Sequence, residues 1–175
     1  PMLTKTSLSA IRTLLHLALR KDPSPVSPRE IAARLGESPT YLAKVAGHLV
    51  RAGILRARRG VAGGVVLHRP PRDVALLAIV EACQGTILGN FCDDAADLAG
   101  ACAFHRAGME LHHAIVGVLS RWTLADLVEK PCPSGSRSGR PPCWLEPLGI
   151  GPAKGGQRSR GAERAASARA KEPSR

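Results

Sequence analysis

Aromatic side chains are nearly missing from this chain: two Trp, two Phe and one Tyr in 175 residues. A core built from this sequence has to be aliphatic, and the apolar fraction of 44% is enough to build one. Acidic residues are scarce as well, 14 Asp and Glu against 25 Lys and Arg, for a net charge of +11. That balance points to a polyanionic partner. No apolar run is long enough to span a bilayer and no charged-then-apolar leader precedes the first helix, so the expected location is cytoplasmic, with no membrane partner. The five cysteines are odd in number and keep no framework spacing, which argues against a disulfide scaffold and leaves thiol, metal or buried roles. A phosphate-binding loop and a carboxylate constellation are lacking, and a Cys/His pair is a weak signal for catalysis. An enzyme is therefore not expected.

The charge is unevenly spread. Residues 131–175 carry nine Lys and Arg against three Asp and Glu, together with seven of the fourteen prolines and seven of the eighteen glycines. Such a segment buries too little surface to offset its ordering entropy and reads as a disordered basic tail, either adding phosphate affinity or simply solvated.

The informative stretch is Ser27 to Arg69. Ser27-Pro28-Arg29-Glu30 pairs a capping hydroxyl with an acid three residues later and puts proline at the first helical position. Ile31, Ala32 and Leu35 give that helix an apolar face, and Gly36 ends it. Ser38-Pro39 repeats the device two residues on and starts a second helix, with Leu42, Val45, Leu49 and Val50 at helical spacing and Gly53 as its stop. Two capped helices joined by so short a turn form a helix-turn-helix. Ile54 to Arg58 then reads as a strand, Arg59 to Gly64 as a glycine-rich tip and Val65 to Arg69 as the return strand. A hairpin appended to a helix-turn-helix is a wing. The expected fold is mainly α with a small β-hairpin wing: a winged helix-turn-helix plus a long helix.

Around this motif, Ser7 is expected to cap a first helix reaching about Arg20, with Leu8, Ile11, Leu14, Leu15 and Ala18 buried. Asp73 is expected to cap a helix from Val74 to about Cys83, and Thr86 to Gly100 reads as an irregular loop. A longer helix is expected from about Ala101 to Arg121, and Thr123 with Asp126 should cap a short closing helix, Leu124 to Glu129. Leu111, Ile115, Val118, Trp122 and Ala125 follow the four-three spacing of two helices packed side by side. This stripe either pairs two copies in a homodimer or covers the wing domain.

Double-stranded operator DNA is the expected partner. Ser38, Thr40 and Tyr41 occupy the first turn of the second helix of the motif, with Lys44 on the same side, suited to phosphates or base edges in a major groove. At the tip Arg58 and Arg59 precede the glycines, suited to the enhanced negative potential of a narrow minor groove, while Gly60, Gly63 and Gly64 allow a close backbone approach. The competing reading from another class is a protein-interaction adaptor that uses the same domain on a protein.

Ser38 to Val45, Leu49 to Leu55, Arg59 to Gly64, Leu67-His68-Arg69-Pro70 and Thr123 to Leu127 together resemble the Rrf family of bacterial winged-helix transcription regulators, the IscR, NsrR and RirA type. The resemblance covers roughly residues 2 to 130. It implies a dimeric regulator, often a repressor, whose long helix pairs with its twin and which senses iron–sulfur, redox or nitric-oxide status. Many members hold an iron–sulfur cluster on three cysteines before that helix, with a His or a partner's acid as the fourth ligand. Here Cys92 and Cys102 match two of those cysteines and His105 matches the His, while the middle cysteine is absent. The matching set suits a two-iron cluster better than a four-iron one, since imidazole can replace thiolate on one iron. A Cys92–Cys102 thiol switch, a cofactor-free regulator and a zinc site on the same three residues are the alternatives. Cys83 reads as core packing. The chain thus divides into a DNA-binding domain over 2–85, a sensor loop over 86–105, a dimerisation helix and closing helix over 101–130, and the tail over 131–175.

Overall fold

The computed structural model describes residues 3–60, 63–87 and 102–130. The wing tip at 61–62, the loop over 88–101 with Cys92, and the basic tail lie outside the described residues.

Helix α1 (Lys5–Ala18) starts one turn earlier than the sequence suggests. Thr4, not Ser7, is its cap, and the Thr4 hydroxyl accepts the Ser7 N–H at 3.1 Å. Ser7 itself is buried and donates to Gln84 Oε1 at 2.7 Å, so its hydroxyl serves a contact between helices. The expected helix end at Arg20 comes at Ala18, and Leu8 is only half-buried, while Ile11, Leu14 and Leu15 are buried as the periodicity requires. Helices α2 (Pro28–Leu35) and α3 (Pro39–Arg51) begin at Ser27 and Ser38, each with its hydroxyl on the N–H three residues on and proline in the first turn. Gly36 takes φ +66° at the end of α2, a left-handed conformation that glycine adopts without strain.

One buried ion pair joins these helices. Arg12 of α1 reaches Glu37, the middle one of the three residues between α2 and α3, and the Arg12 Nη2 donates to the Leu35 carbonyl at 2.9 Å. Ser9 donates to the same Glu37 oxygen at 2.6 Å. Both charged side chains are about nine-tenths buried, at 7% and 8% exposure. Burial pushes the Arg12 guanidinium below its usual value, and the Glu37 charge opposes that shift.

The wing pairs β1 (Leu55–Arg58) antiparallel with β2 (Gly64–Leu67), Arg56 opposite Val66 and Arg58 opposite Gly64. Val26 adds a third bridging position, exchanging bonds of 3.1 and 2.8 Å with Val65. The expected helix from Val74, capped by Asp73, is displaced. Pro71–Asp73 forms a 3-10 turn, Val74 is extended and buried, and α4 runs over Leu76–Gln84 from Ala75, with no side-chain cap. Long-range pairing is the reason: the Val74 carbonyl accepts from Leu124 at 2.9 Å and the Leu76 N–H donates to the Trp122 carbonyl at 2.9 Å. These bonds set residues 74–76 against 122–124 and delay the helix.

Helix α5 (Ala103–Arg121) and α6 (Leu124–Glu129) complete the described chain. Thr123 and Asp126 form the expected reciprocal capping box, whose hydrogen bonds hold the Asp126 carboxyl below the usual carboxylate range. The core is aliphatic, with Leu14, Ile31, Leu42, Leu49, Ile54 and Leu124 fully buried among its members. Leu124 therefore shares the core of the winged helix, across the 2–85 boundary drawn from sequence. By contrast α5 buries none of its residues. Phe104, Leu111, Val118 and Trp122 are 79%, 54%, 48% and 45% exposed. With Gly108 and Ile115 between them, they extend the four-three spacing back to the start of the helix.

Arg12→Ala leaves the Glu37 carboxylate buried without its counter-charge and is expected to cost about 3–5 kcal/mol in urea unfolding. The double variant Arg12→Met, Glu37→Leu should lose less than Arg12→Ala. A single-variant loss below about 1 kcal/mol would remove the pair from its structural role.

Candidate nucleic-acid interface

The burial of α3 decides which of its residues can meet a ligand. Leu42, Val45, Ala46 and Leu49 face the core, so Ser38, Thr40 and Lys44 are left exposed along its first turns. Tyr41 is half-buried and packs against the core; its hydroxyl lies 3.4 Å from Thr6 Oγ1, and Lys5 Nζ stands 5.5 Å from the ring centroid. The tyrosine thus links α3 to the start of α1 and places Lys5 beside the surface that Lys44 occupies. Sequence reasoning passed over Lys5, since no local pattern announces a contact between helices so far apart in the chain.

On the wing, Arg58, Arg59 and Gly60 are exposed, as is Arg56. Arg56 shares its side of β1 with Arg58, as the two-residue period of a strand demands. That alternation was available in the sequence and identifies Arg56 as a further cation of the wing. Among the described residues the ion pairs are Arg12–Glu37, Arg20–Asp22 and Arg72–Asp73, so Lys44, Arg56, Arg58 and Arg59 carry no carboxylate counter-ion there. Gly60 has φ +113°. Gly63 and Gly64 answer to the protein's own backbone: a Cβ on Gly63 would strike the Arg58 and Gly60 carbonyls, and one on Gly64 would strike Val26. Their absence of side chains is what lets the wing close and dock.

The cysteine–histidine elements lie apart from this surface in the chain. Cys102 is the exposed N-cap residue of α5, and His105, one turn on, is half-buried. A thiolate and an imidazole at this spacing are chemically suited to iron or zinc. Among the described residues no third His, Cys, Asp or Glu joins them in a metal-sized group. Cys92, the remaining sequence candidate, is outside the described residues. Cys83 packs half-buried against the core, and burial pushes its thiol up to about 11, which keeps it protonated at neutral pH. His112 and His113 meet edge to face, 5.7 Å between ring centroids.

Comparison with known proteins bears on the whole arrangement. Over 132 residues the chain is 34% identical to the HTH-type transcriptional repressor NsrR of Streptomyces coelicolor, covering 74% of this chain and 89% of that protein. It is 30% identical over 128 residues to the HTH-type transcriptional regulator IscR of Photobacterium profundum, covering 72% and 74%. Among solved structures it is similar to CymR, the global cysteine regulator of B. subtilis, with a TM-score of 0.62 at 23% identity over 74% of this chain and 98% of that one, a likeness of fold. It is similar too to T. potens IscR, with a TM-score of 0.58 at 26% identity over 76% and 93%. The family model described as an iron-dependent transcriptional regulator matches residues 3–130, the same span that carries the helix-turn-helix, the wing and the long exposed helix. The chain belongs to the Rrf2 family of transcriptional regulators.

Proposed function

We propose that this protein is a homodimeric repressor that binds a pseudo-palindromic operator and responds to iron–sulfur, redox or nitric-oxide status. The observation that carries the DNA-binding part is the exposed first turn of α3, together with a wing whose arginines have no acidic counter-ion among the described residues. In this reading α3 enters the major groove. Ser38 and Thr40 reach phosphates or base edges, Tyr41 sets the approach of α1, and Lys44 takes a phosphate. Arg58 and Arg59 meet the minor groove, and Gly60 keeps the tip slim. Two copies paired through the stripe from Phe104 to Trp122 would present two wings to half-sites about 34 Å apart, or a multiple of it.

The sensing part rests on Cys102 and His105 at the start of α5. They would hold an iron–sulfur cluster together with Cys92 and one further donor. When bound, such a cluster supplies redox and ligand-exchange chemistry. The protein's own contribution is to set thiol and imidazole one turn apart on the helix that carries the dimer seam.

Three measurements test this reading. In fluorescence anisotropy on DNA from the protein's own upstream region, Arg59→Ala is expected to bind about tenfold more weakly at matched salt and to reduce the slope of log K against log salt by about one. Equal binding by variant and wild type would refute the wing contact, and salt-independent or absent binding by the wild type would favour the adaptor. Val118→Glu should sediment as a monomer at micromolar concentration with its helix content kept; a persistent dimer would rule the stripe out as the seam. Protein purified without oxygen should show sulfide-to-iron absorbance, iron and acid-labile sulfide, all lost in Cys92→Ala and Cys102→Ala. A colourless, metal-free protein that binds DNA would leave a Cys92–Cys102 thiol switch or a cofactor-free regulator.

A further inference from the structure

A cleft of about 370 Å³ lies between the end of α1, the segment after it and β2, with no residue of α3 in its lining. That volume falls within the range of small-molecule sites. Its apolar wall is Leu17 and Ala18 on one side, Val66 and Leu67 on the other, with Pro71 of the 3-10 turn. Its polar end is Arg20, flanked by Lys21, Asp22 and Ser24.

The guanidinium of Arg20 is incompletely used. Its Nη2 makes two long contacts, 3.3 Å to Asp22 Oδ2 and 3.3 Å to Ser24 Oγ, at the weak edge of hydrogen-bond distances. Its Nη1 is buried with no hydrogen-bond partner. Asp22 is committed elsewhere: its carboxylate accepts the Ser24 hydroxyl at 2.6 Å and the Ser24 N–H at 2.8 Å, and its side chain is 64% exposed. The two long contacts hold Nη2 weakly, and a carboxylate on it would make a charge-assisted bond in their place. Arg20 and Lys21 against Asp22 leave one net positive charge at this end. Asp22 on the rim disfavours a dianion such as a phosphate monoester, and the aliphatic wall calls for a hydrocarbon body.

We propose that this cleft is a binding site for a short aliphatic carboxylate, its carboxylate on the Arg20 guanidinium and its chain against Leu17, Val66 and Leu67. The ligand would bridge α1 and β2, the strand that Val26 ties to the segment lining the cleft. It would thus be a second input to the wing, separate from Cys102 and His105.

The test is a titration of the full-length protein with hexanoate, followed in ¹H–¹⁵N correlation spectra, with hexanol as the neutral analogue of equal length. Saturable shifts are expected at amides of residues 17–24 and 66–67, with a dissociation constant of about 1 mM or tighter. Hexanol should bind at least tenfold more weakly, and Arg20→Gln should weaken hexanoate by the same factor while keeping the wild-type spectrum elsewhere. Absence of saturable shifts, equal binding of hexanol, or shifts centred on α5 would each overturn the proposal. The hexanol comparison uses the wild-type chain and does not depend on the variant folding. Because operator DNA is absent from the titration, its outcome is independent of the DNA-binding reading.

Discussion

The buried contact between Arg12 and Glu37 is the constraint around which the DNA-binding half is arranged. Glu37 sits in the three-residue gap between α2 and α3, where a solvated residue would be ordinary. Instead its carboxylate is drawn inward by Arg12 and Ser9 of α1, and Arg12 also holds the Leu35 carbonyl at the end of α2. Two charges taken out of water stabilise a fold only when geometry and extra hydrogen bonds compensate for lost hydration. What such a pair does give is direction: it admits one placement of the turn against α1. Once the turn is placed, the core side of α3 is settled by Leu42, Val45 and Leu49, and the opposite side, with Thr40 and Lys44, has to face outward.

The wing depends on a different kind of contact. A two-stranded hairpin is marginal alone in water, and this one has only four residues in each strand. It is held by Val65, which is buried and bonded in both directions to Val26, and by Leu55 beneath it. Gly64 makes that docking possible, since its missing Cβ leaves the room that the Val26 backbone takes up. The arginines of β1 then project from a hairpin anchored on its inner side. An aliphatic core suffices for this because the helices are short and closely packed, and each fully buried Leu or Ile contributes about 1.5–3 kcal/mol.

Much of this was legible in the chain because the signals are local. Ser27-Pro28 and Ser38-Pro39 start helices through hydroxyls that reach N–H groups three residues on, and Thr123 with Asp126 does the same for α6. The misreadings share one physical cause. Ser7 has the chemistry of a cap, yet Thr4 takes that role because Gln84, distant in sequence, claims the Ser7 hydroxyl and the Thr4 N–H alike. Asp73 is likewise a good cap on paper, but residues 74–76 are held extended by 122–124. Tyr41 carries a hydroxyl at the right helical turn, and only the packed structure reveals Thr6 and Lys5 around it. For Ser7 and Asp73 a contact between remote segments overrides a sound local preference. Of the candidate ligands, Cys102 is the N-cap of α5 and His105 lies in its first turn.

Helix α5 is fastened unequally along its length. Its C-terminal end is locked where the Trp122 carbonyl accepts from Leu76, the Leu124 N–H donates to Val74 and Leu124 enters the core. Its other end starts at an exposed Cys102, followed by exposed Ala103 and Phe104. Nineteen residues of helix make a rod about 28 Å long. A rod pivoted at one end is a lever, and a tilt of a few degrees about the Trp122 end carries Cys102 through about 2 Å. Cys102 thus stands at the end of the longest arm that the helix offers, and the locked end belongs to the body that holds the wing.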